Sequence, residues 1–268
     1  MSVAVNDKSV DIGGLTVHYR EAGEGKTIVF LHGAGGAPPR GSSFVRLLGE
    51  QHRVLVPSRP GFDETPVGES KTILDVVEVM AKFIAKISPT KVHLVAQSAG
   101  GAIGAWLAVL HPELVESLVL SAPAAFAHRH APPAGARPTP EEIEHRLYGD
   151  HPIWDTPPTV EERKRIAGNA QANMARFSAP EGNSDLLARI GEIKIPVLLI
   201  CGGADRMIPE SATRPFQEKI NSCSRIVIYD AAHEMPISAT HPWVKLVGQF
   251  VDRGEYWVVN MESSATPL

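Results

Sequence analysis

Ser98 stands in the stretch KVHLVAQSAGGAIG, Lys91 to Gly104, where an apolar run ends in the polar pair Gln97-Ser98 and three glycines follow. A serine hydroxyl is not ionised at neutral pH. To act as a nucleophile it needs a base within hydrogen-bond reach and donors for the oxyanion that develops. A tight turn from a strand into a helix meets part of that need, because it projects the hydroxyl and aims free helix N–H groups the same way. Such a turn packs against neighbouring backbone and requires small residues. Gly100 supplies one, and Gly101 and Gly104 let the helix approach. Ala96 stands where the pattern G-x-S-x-G asks for its first glycine. The same local sequence also suits a plain N-cap serine, so the five-residue pattern leaves both readings open.

The remaining groups for acyl transfer occur elsewhere in the chain. FLHGAGG, Phe30 to Gly36, ends an apolar run in a glycine-rich loop. It can present a backbone N–H toward a neighbouring strand end, and we assign the oxyanion donors as the N–H groups of Ala34 and Ala99. The loop lacks the G-x-x-x-x-G-K-[ST] order of a nucleotide phosphate loop. Asp205 follows the run PVLLICGGA, at the carboxyl edge where α/β sites assemble. His233 follows VIYDAA, just past the last apolar run. The order is therefore nucleophile, acid, base, which neither trypsin-like nor subtilisin-like enzymes use.

The elements that must position these groups can be read from periodicity. LTVHYREAG, TIVFLHG, HRVLVPS, KVHLVAQ, ESLVLSAP, IPVLLICGG and SRIVIYDA read as strands, several nearly unbroken and therefore covered on both faces. KTILDVVEVMAKFIAKI places Ile73, Val76, Val77, Met80, Ile84 and Ile87 at helical spacing. THPWVKLVGQFVDRG repeats this with Trp243, Leu246, Val247 and Phe250, and Gly254 is a natural stop. The alternation predicts an α/β protein with a mainly parallel sheet. It breaks between about Pro123 and Ile190. There Thr139 to Glu142 and Thr159 to Glu162 carry T-x-x-E helix starts, and Ile166, Ala170, Met174 and Phe177 share one helical face. We expect a core of residues 1–122 and 191–268, with 123–190 inserted as a helical cap.

Composition excludes several classes. The 268 residues are 43% hydrophobic and 21% charged, which fits a globular chain. A net charge of −4 and the lack of a dense Lys/Arg stripe argue against nucleic-acid partners. No membrane-length apolar stretch and no leader with a basic start and apolar core are visible, so a cytoplasmic location is expected. Cys201 and Cys223 have no metal-ligand spacing, and neither do His128, His130, His145 and His151 of the insertion.

HGAGG, SRPGF, AQSAGG, GGADRMIP and AAHEMPISATHP occur in this order, after strands. With them the chain resembles the α/β-hydrolase superfamily over nearly its whole length. The resemblance implies an eight-stranded, mostly parallel sheet and a serine-hydrolase mechanism: Ser98 as nucleophile, His233 as base, Asp205 as its orienting acid, and Ala34 with Ala99 as oxyanion donors. GFDET, Gly61 to Thr65, departs from the family's usual loop. No carboxylate follows the sixth strand, where some members place the acid; Asp230 and Glu210 are the competitors of Asp205. Neither cofactor nor metal is required. The expected reaction is hydrolysis of small to medium carboxylic esters, and Phe126, Trp154, Met174, Phe177, Met207 and Met235 are candidate walls of an apolar pocket. Carbon–carbon hydrolases and lactonases share the triad, although the former usually carry Trp beside the catalytic His, where this chain has Glu234. Epoxide hydrolases and haloalkane dehalogenases attack with a carboxylate, which Ser98 opposes. A cofactor-free oxygenase is a minor alternative. A slow-turnover ligand receptor is the alternative of a different class.

Overall fold

Eight strands form one sheet in the order β1-β2-β4-β3-β5-β6-β7-β8. A computed structural model describes residues 3–125, 139–178 and 183–254, without the side chains of 171–178, 183 and 184. The strands are β1 (Val5–Asp11), β2 (Thr16–Ala22), β3 (Thr27–Leu31), β4 (Arg53–Pro57), β5 (Val92–Gln97), β6 (Val115–Ser121), β7 (Val197–Gly202) and β8 (Cys223–Ile228). From β4 across to β8 every pairing is parallel, while β1–β2 and β2–β4 are antiparallel. The structure therefore has the mostly parallel eight-stranded sheet that the resemblance implied.

β1 is the strand that periodicity missed. Its sequence, VNDKSVD, is exposed along nearly its whole length, so it carries no alternation of apolar and polar residues. Register comes instead from the turn, where Asp11 Oδ1 accepts hydrogen bonds from the Gly13 and Gly14 N–H groups. Both glycines have positive φ, which a side chain would disfavour.

Alternating strand residues feed two apolar layers. Val29 and Leu31 of β3, with Leu94 and Ala96 of β5, face one layer; Ile28, Phe30 and Val95 face the other. The first layer is closed by α2 (Ile73–Ile87), α3 (Gly100–Leu110) and α7 (Glu210–Lys219). The second is closed by α1 (Ser43–Gly49), the short α8 (Met235–Ser238) and α9 (Thr240–Arg253). Trp243 of α9 is fully buried there; its ring meets Phe30 and Phe44, and its indole N–H donates to Ser121 Oγ at 3.0 Å. At the end of α9, Gly254 has φ 57°, the left-handed stop expected of it.

Between β6 and β7 lie α4 (Pro140–Tyr148), α5 (Val160–Ser178) and α6 (Asn183–Arg189). Both predicted capping boxes form. Thr139 Oγ1 accepts from Glu142 N–H while Glu142 accepts from Thr139 N–H, and Thr159 and Glu162 repeat the exchange. Arg46 of α1 grips Asp155, ahead of α5, through two hydrogen bonds.

Candidate active site

The chain turns away in opposite directions after β3 and β5, which are neighbours: β4 lies on one side and β6 on the other. A crevice therefore opens at their carboxyl ends. Ser98 emerges there from β5. Its φ of 50° is uncommon for a residue with a side chain and marks a strained turn. Backbone bonds over-determine it: Ser98 N–H donates to Ser121 O, and Ser98 O accepts from both Gly101 and Ala124.

The small residues around Ser98 have separate reasons. A Cβ on Gly100 would sit 2.2 Å from the Leu31 carbonyl oxygen, so α3 can start beneath β3 only with glycine there. Gly104 explains Ala96. A Cβ on Gly104 would lie 2.8 Å from the Ala96 methyl, so that methyl occupies the space Gly104 leaves open. The glycine absent from the pattern has moved eight residues along the chain.

His233 Nε2 lies 2.9 Å from Ser98 Oγ, and His233 Nδ1 lies 2.9 Å from Asp205 Oδ2. Ser98 and His233 are both buried. Asp205 Oδ1 accepts from the Met207 and Ile208 N–H groups at 2.7 and 2.9 Å, which turns the other oxygen toward the imidazole. Burial alone would lower the His233 pKa. The hydrogen bond and charge of Asp205, with the charge of Glu234, outweigh it and raise the value above 6.5. Glu210 instead pairs with Arg225, and Asp230 is exposed.

The histidine loop is held from below and from the side. Gln97 Nε2 donates to the His233 carbonyl at 2.8 Å. Glu234 N–H donates to Leu147 O at 2.7 Å, at the end of α4. Neither contact had a signal in the sequence, because a lone glutamine or a helix-end carbonyl has no pattern to match.

A peptide plane orients the Ala34 N–H. The Gly33 carbonyl accepts from Arg59 Nη2 at 2.8 Å and from His32 Nδ1 at 2.8 Å. Arg59 N–H donates to His32 Nε2, so Nδ1 carries the proton. Burial and the Arg59 charge push the His32 pKa down to about 3, which keeps this ring neutral. Since Gly33 C=O and Ala34 N–H share one trans peptide, fixing the first points the second the opposite way. Neither Ala34 N–H nor Ala99 N–H is engaged by another group among the described residues. Gly33 abuts Ser98 itself, since a Cβ on it would lie 3.6 Å from Ser98 Oγ.

The loop GFDET, unusual for its position, also finds a structural account. Asp63 has φ 51° and accepts from Ala37 N–H, Ser58 Oγ and Asn169 Nδ2, and it pairs with Arg165. One carboxylate thus ties the glycine-rich loop to α5. Burial would raise its pKa, but the neighbouring His32 ring, the Ala37 N–H, the Arg165 charge and the Asn169 amide hold it below the usual range.

The candidate pocket residues separate. Met235 is fully buried in the second core layer with Trp243, so it fills the core and does not line a cavity. Met207 is 40% exposed beyond β7. Trp154 is half-buried with its ring edge on Tyr148. Phe126, His128, His130 and the side chains of Met174 and Phe177 lie outside the described residues. His145 bonds Asp150 at the surface, and His151 is exposed. A cavity of about 820 Å³ lined by Arg20, Arg40, Asp63 and Arg165 does not include Ser98 or His233. Geometry at the bonded side chains, and not cavity size, therefore marks the site. Among the described residues no helix is long and apolar enough to cross a membrane.

Residues 28–248 match the Alpha/beta hydrolase family. The chain is 26% identical over 226 residues to a 2-hydroxy-6-oxo-6-phenylhexa-2,4-dienoate hydrolase of Comamonas testosteroni, covering 74% of this chain and 78% of that one. It is 25% identical over 261 residues to a pimeloyl-[acyl-carrier protein] methyl ester esterase of Aeromonas hydrophila, covering 88% of this chain and all of the other. Its fold matches the crystal structure of a serine hydrolase involved in carbazole degradation, with TM-score 0.77, 23% identity and coverage of 93% and 99%. The chain belongs to the alpha/beta hydrolase family.

Proposed function

We propose that this member of the family is a serine hydrolase that cleaves small to medium carboxylic esters through an acyl-enzyme on Ser98. The observation that carries the reading is the hydrogen-bonded series Ser98–His233–Asp205, with both links at 2.9 Å. In the first step Ser98 Oγ attacks the ester carbonyl and its proton passes to His233 Nε2. The carbonyl oxygen, now negative, is met by the Ala34 and Ala99 N–H groups. His233 then gives the proton to the leaving alkoxide as the C–O bond breaks. Water attacks the acyl-enzyme, loses a proton to the same nitrogen, and releases the acid and Ser98. Asp205 holds the imidazole tautomer and stabilises the imidazolium. Within the insertion of residues 123–190, α4 and α5 act as a cap over this site, α5 held on the Gly33–Ala37 loop and α4 on the histidine loop.

Hydrolysis of a carbon–carbon bond in a vinylogous diketone is the second reading, supported by the relative from Comamonas testosteroni. Steady-state kinetics on p-nitrophenyl esters of two to ten carbons, beside a 2-hydroxy-6-oxo-dienoate, separates the two. Ester hydrolysis predicts turnover of at least one ester that Ser98→Ala lowers by about 10⁴ to 10⁶ in kcat. Turnover of the dienoate alone would select the second reading. Near-wild-type ester turnover by Ser98→Ala would defeat both.

A further inference from the structure

Gly33 packs close beside Ser98, and a second functional group stands next to the same point. A Cβ on Gly33 would lie 3.2 Å from Ser98 Cβ, 3.6 Å from Ser98 Oγ and 3.5 Å from Glu234 Oε1. Ser98 and the Glu234 carboxyl thus flank one point at which the chain places no side chain. Glu234 also lines a small cavity with Gly33, Gly35, Gly36, Tyr148 and Ile166. Three of those neighbours have no side chain, and the polar side chains that share the cavity, His32 and Tyr148, make no hydrogen bond to the carboxyl among the described residues.

The carboxyl is fixed but unpartnered. Its backbone is pinned on both sides: Glu234 N–H donates to Leu147 O, and Glu234 O accepts from Ile237 and Ser238. Among the described residues its side-chain oxygens receive no hydrogen bond and meet no Lys or Arg. Burial raises its pKa, and Asp205 raises it further, against the attraction of His233. Glu234 is half-buried, so its carboxylate oxygens keep acceptor capacity that a donor on a bound ligand can take up.

We propose that Glu234 is a substrate-recognition residue of the Ser98 site, accepting a hydrogen bond from a donor on the acyl group close to the scissile carbonyl. The acyl class it selects carries an ammonium or a comparable N–H or O–H donor, and an acyl group ending in a carboxylate is disfavoured. This rests on Ser98 being the nucleophile.

Alkylboronic acids test it without turnover. Boron accepts a lone pair of Ser98 Oγ, the serine proton passes to His233, and the tetrahedral adduct places the alkyl group as an acyl group would lie. Inhibition constants of n-butyl-, 3-aminopropyl- and 2-carboxyethylboronic acid are measured on the wild-type protein and on Glu234→Gln and Glu234→Leu. In the wild type the amine is expected to bind at least about 10-fold tighter than butyl, and the carboxylate at least about 10-fold weaker, as for a hydrogen bond to a charged group. Glu234→Gln and Glu234→Leu bring the amine and the carboxylate within about threefold of butyl, since both lose the charge. Equal binding of all three to the wild type overturns the proposal even if neither variant folds, and so does full selectivity kept in both variants. Failure of every boronate to bind, with no covalent adduct at Ser98, would instead overturn the nucleophile assignment.

Discussion

In the proposed mechanism the imidazole of His233 takes the Ser98 proton only when it is neutral, so its titration sets the acid limit of activity. With its pKa raised by Asp205 and Glu234, kcat/KM should fall as the pH drops through a midpoint above 6.5. A profile flat down to pH 5 would contradict a histidine base here. Glu234→Gln removes one of the two raising charges and should move that midpoint toward lower pH. At this scale the sequence was informative wherever a residue followed an apolar run. Ser98, Asp205 and His233 each stand just past a strand, and their order along the chain pointed to one crevice. Gln97, Asp63 and Glu234 stand in the same loops, but the sequence assigns none of them a role. What they do depends on partners as far as 106 and 136 residues away or on close packing against a glycine, and no local spacing encodes either.

The strand–helix junctions are set by contacts that tolerate no extra atoms. Gly100→Ala would drive a methyl into the Leu31 and His32 carbonyls, both of them backbone. We expect a loss of about 2–4 kcal/mol, read as a lower urea midpoint. Unchanged stability would mean that α3 does not meet β3 as described. Asp63→Ala would strip four groups of their shared acceptor and leave Arg165 unpaired, at a cost of about 3 kcal/mol. Because Asp63 is held below its unfolded pKa, its contribution is present above about pH 4 and is lost as the pH falls through the lowered value. Wild-type stability for that variant would contradict the link between loop and α5. Elements with a strong period or a capping signature were legible: α2, α9 and the starts of α4 and α5. β1 was not, since an edge strand exposed on both faces has no hydrophobic pattern. α7 was masked by Pro215 in its interior and by a polar sequence with only Thr213 and Phe216 buried.

The fold as a whole keeps two histidines neutral in its interior. Burial and neighbouring positive charge lower His32 to about 3 and His93 to about 4. Unfolding releases both to about 6.5, so the unfolded chain binds more protons between those values, and stability must fall on acidification. The slope approaches about 3 kcal/mol per pH unit between pH 6 and 4, two groups at about 1.4 each. His233 acts in the opposite sense, adding stability only as the pH falls from above its raised pKa to about 6.5. Urea unfolding at a series of pH values checks this; a stability constant from pH 6.5 to 4.5 would mean that neither ring is buried neutral. In the proposed mechanism the same fold creates the nucleophile from residues 28 and 107 positions apart, none of them reactive alone. The direct test is labelling with a fluorophosphonate, followed by peptide mapping, on native protein, on urea-unfolded protein and on native His233→Gln. The account predicts one adduct, on Ser98, formed rapidly only in the native wild type. A label on another residue, or equal labelling of Ser98 in all three samples, would contradict it.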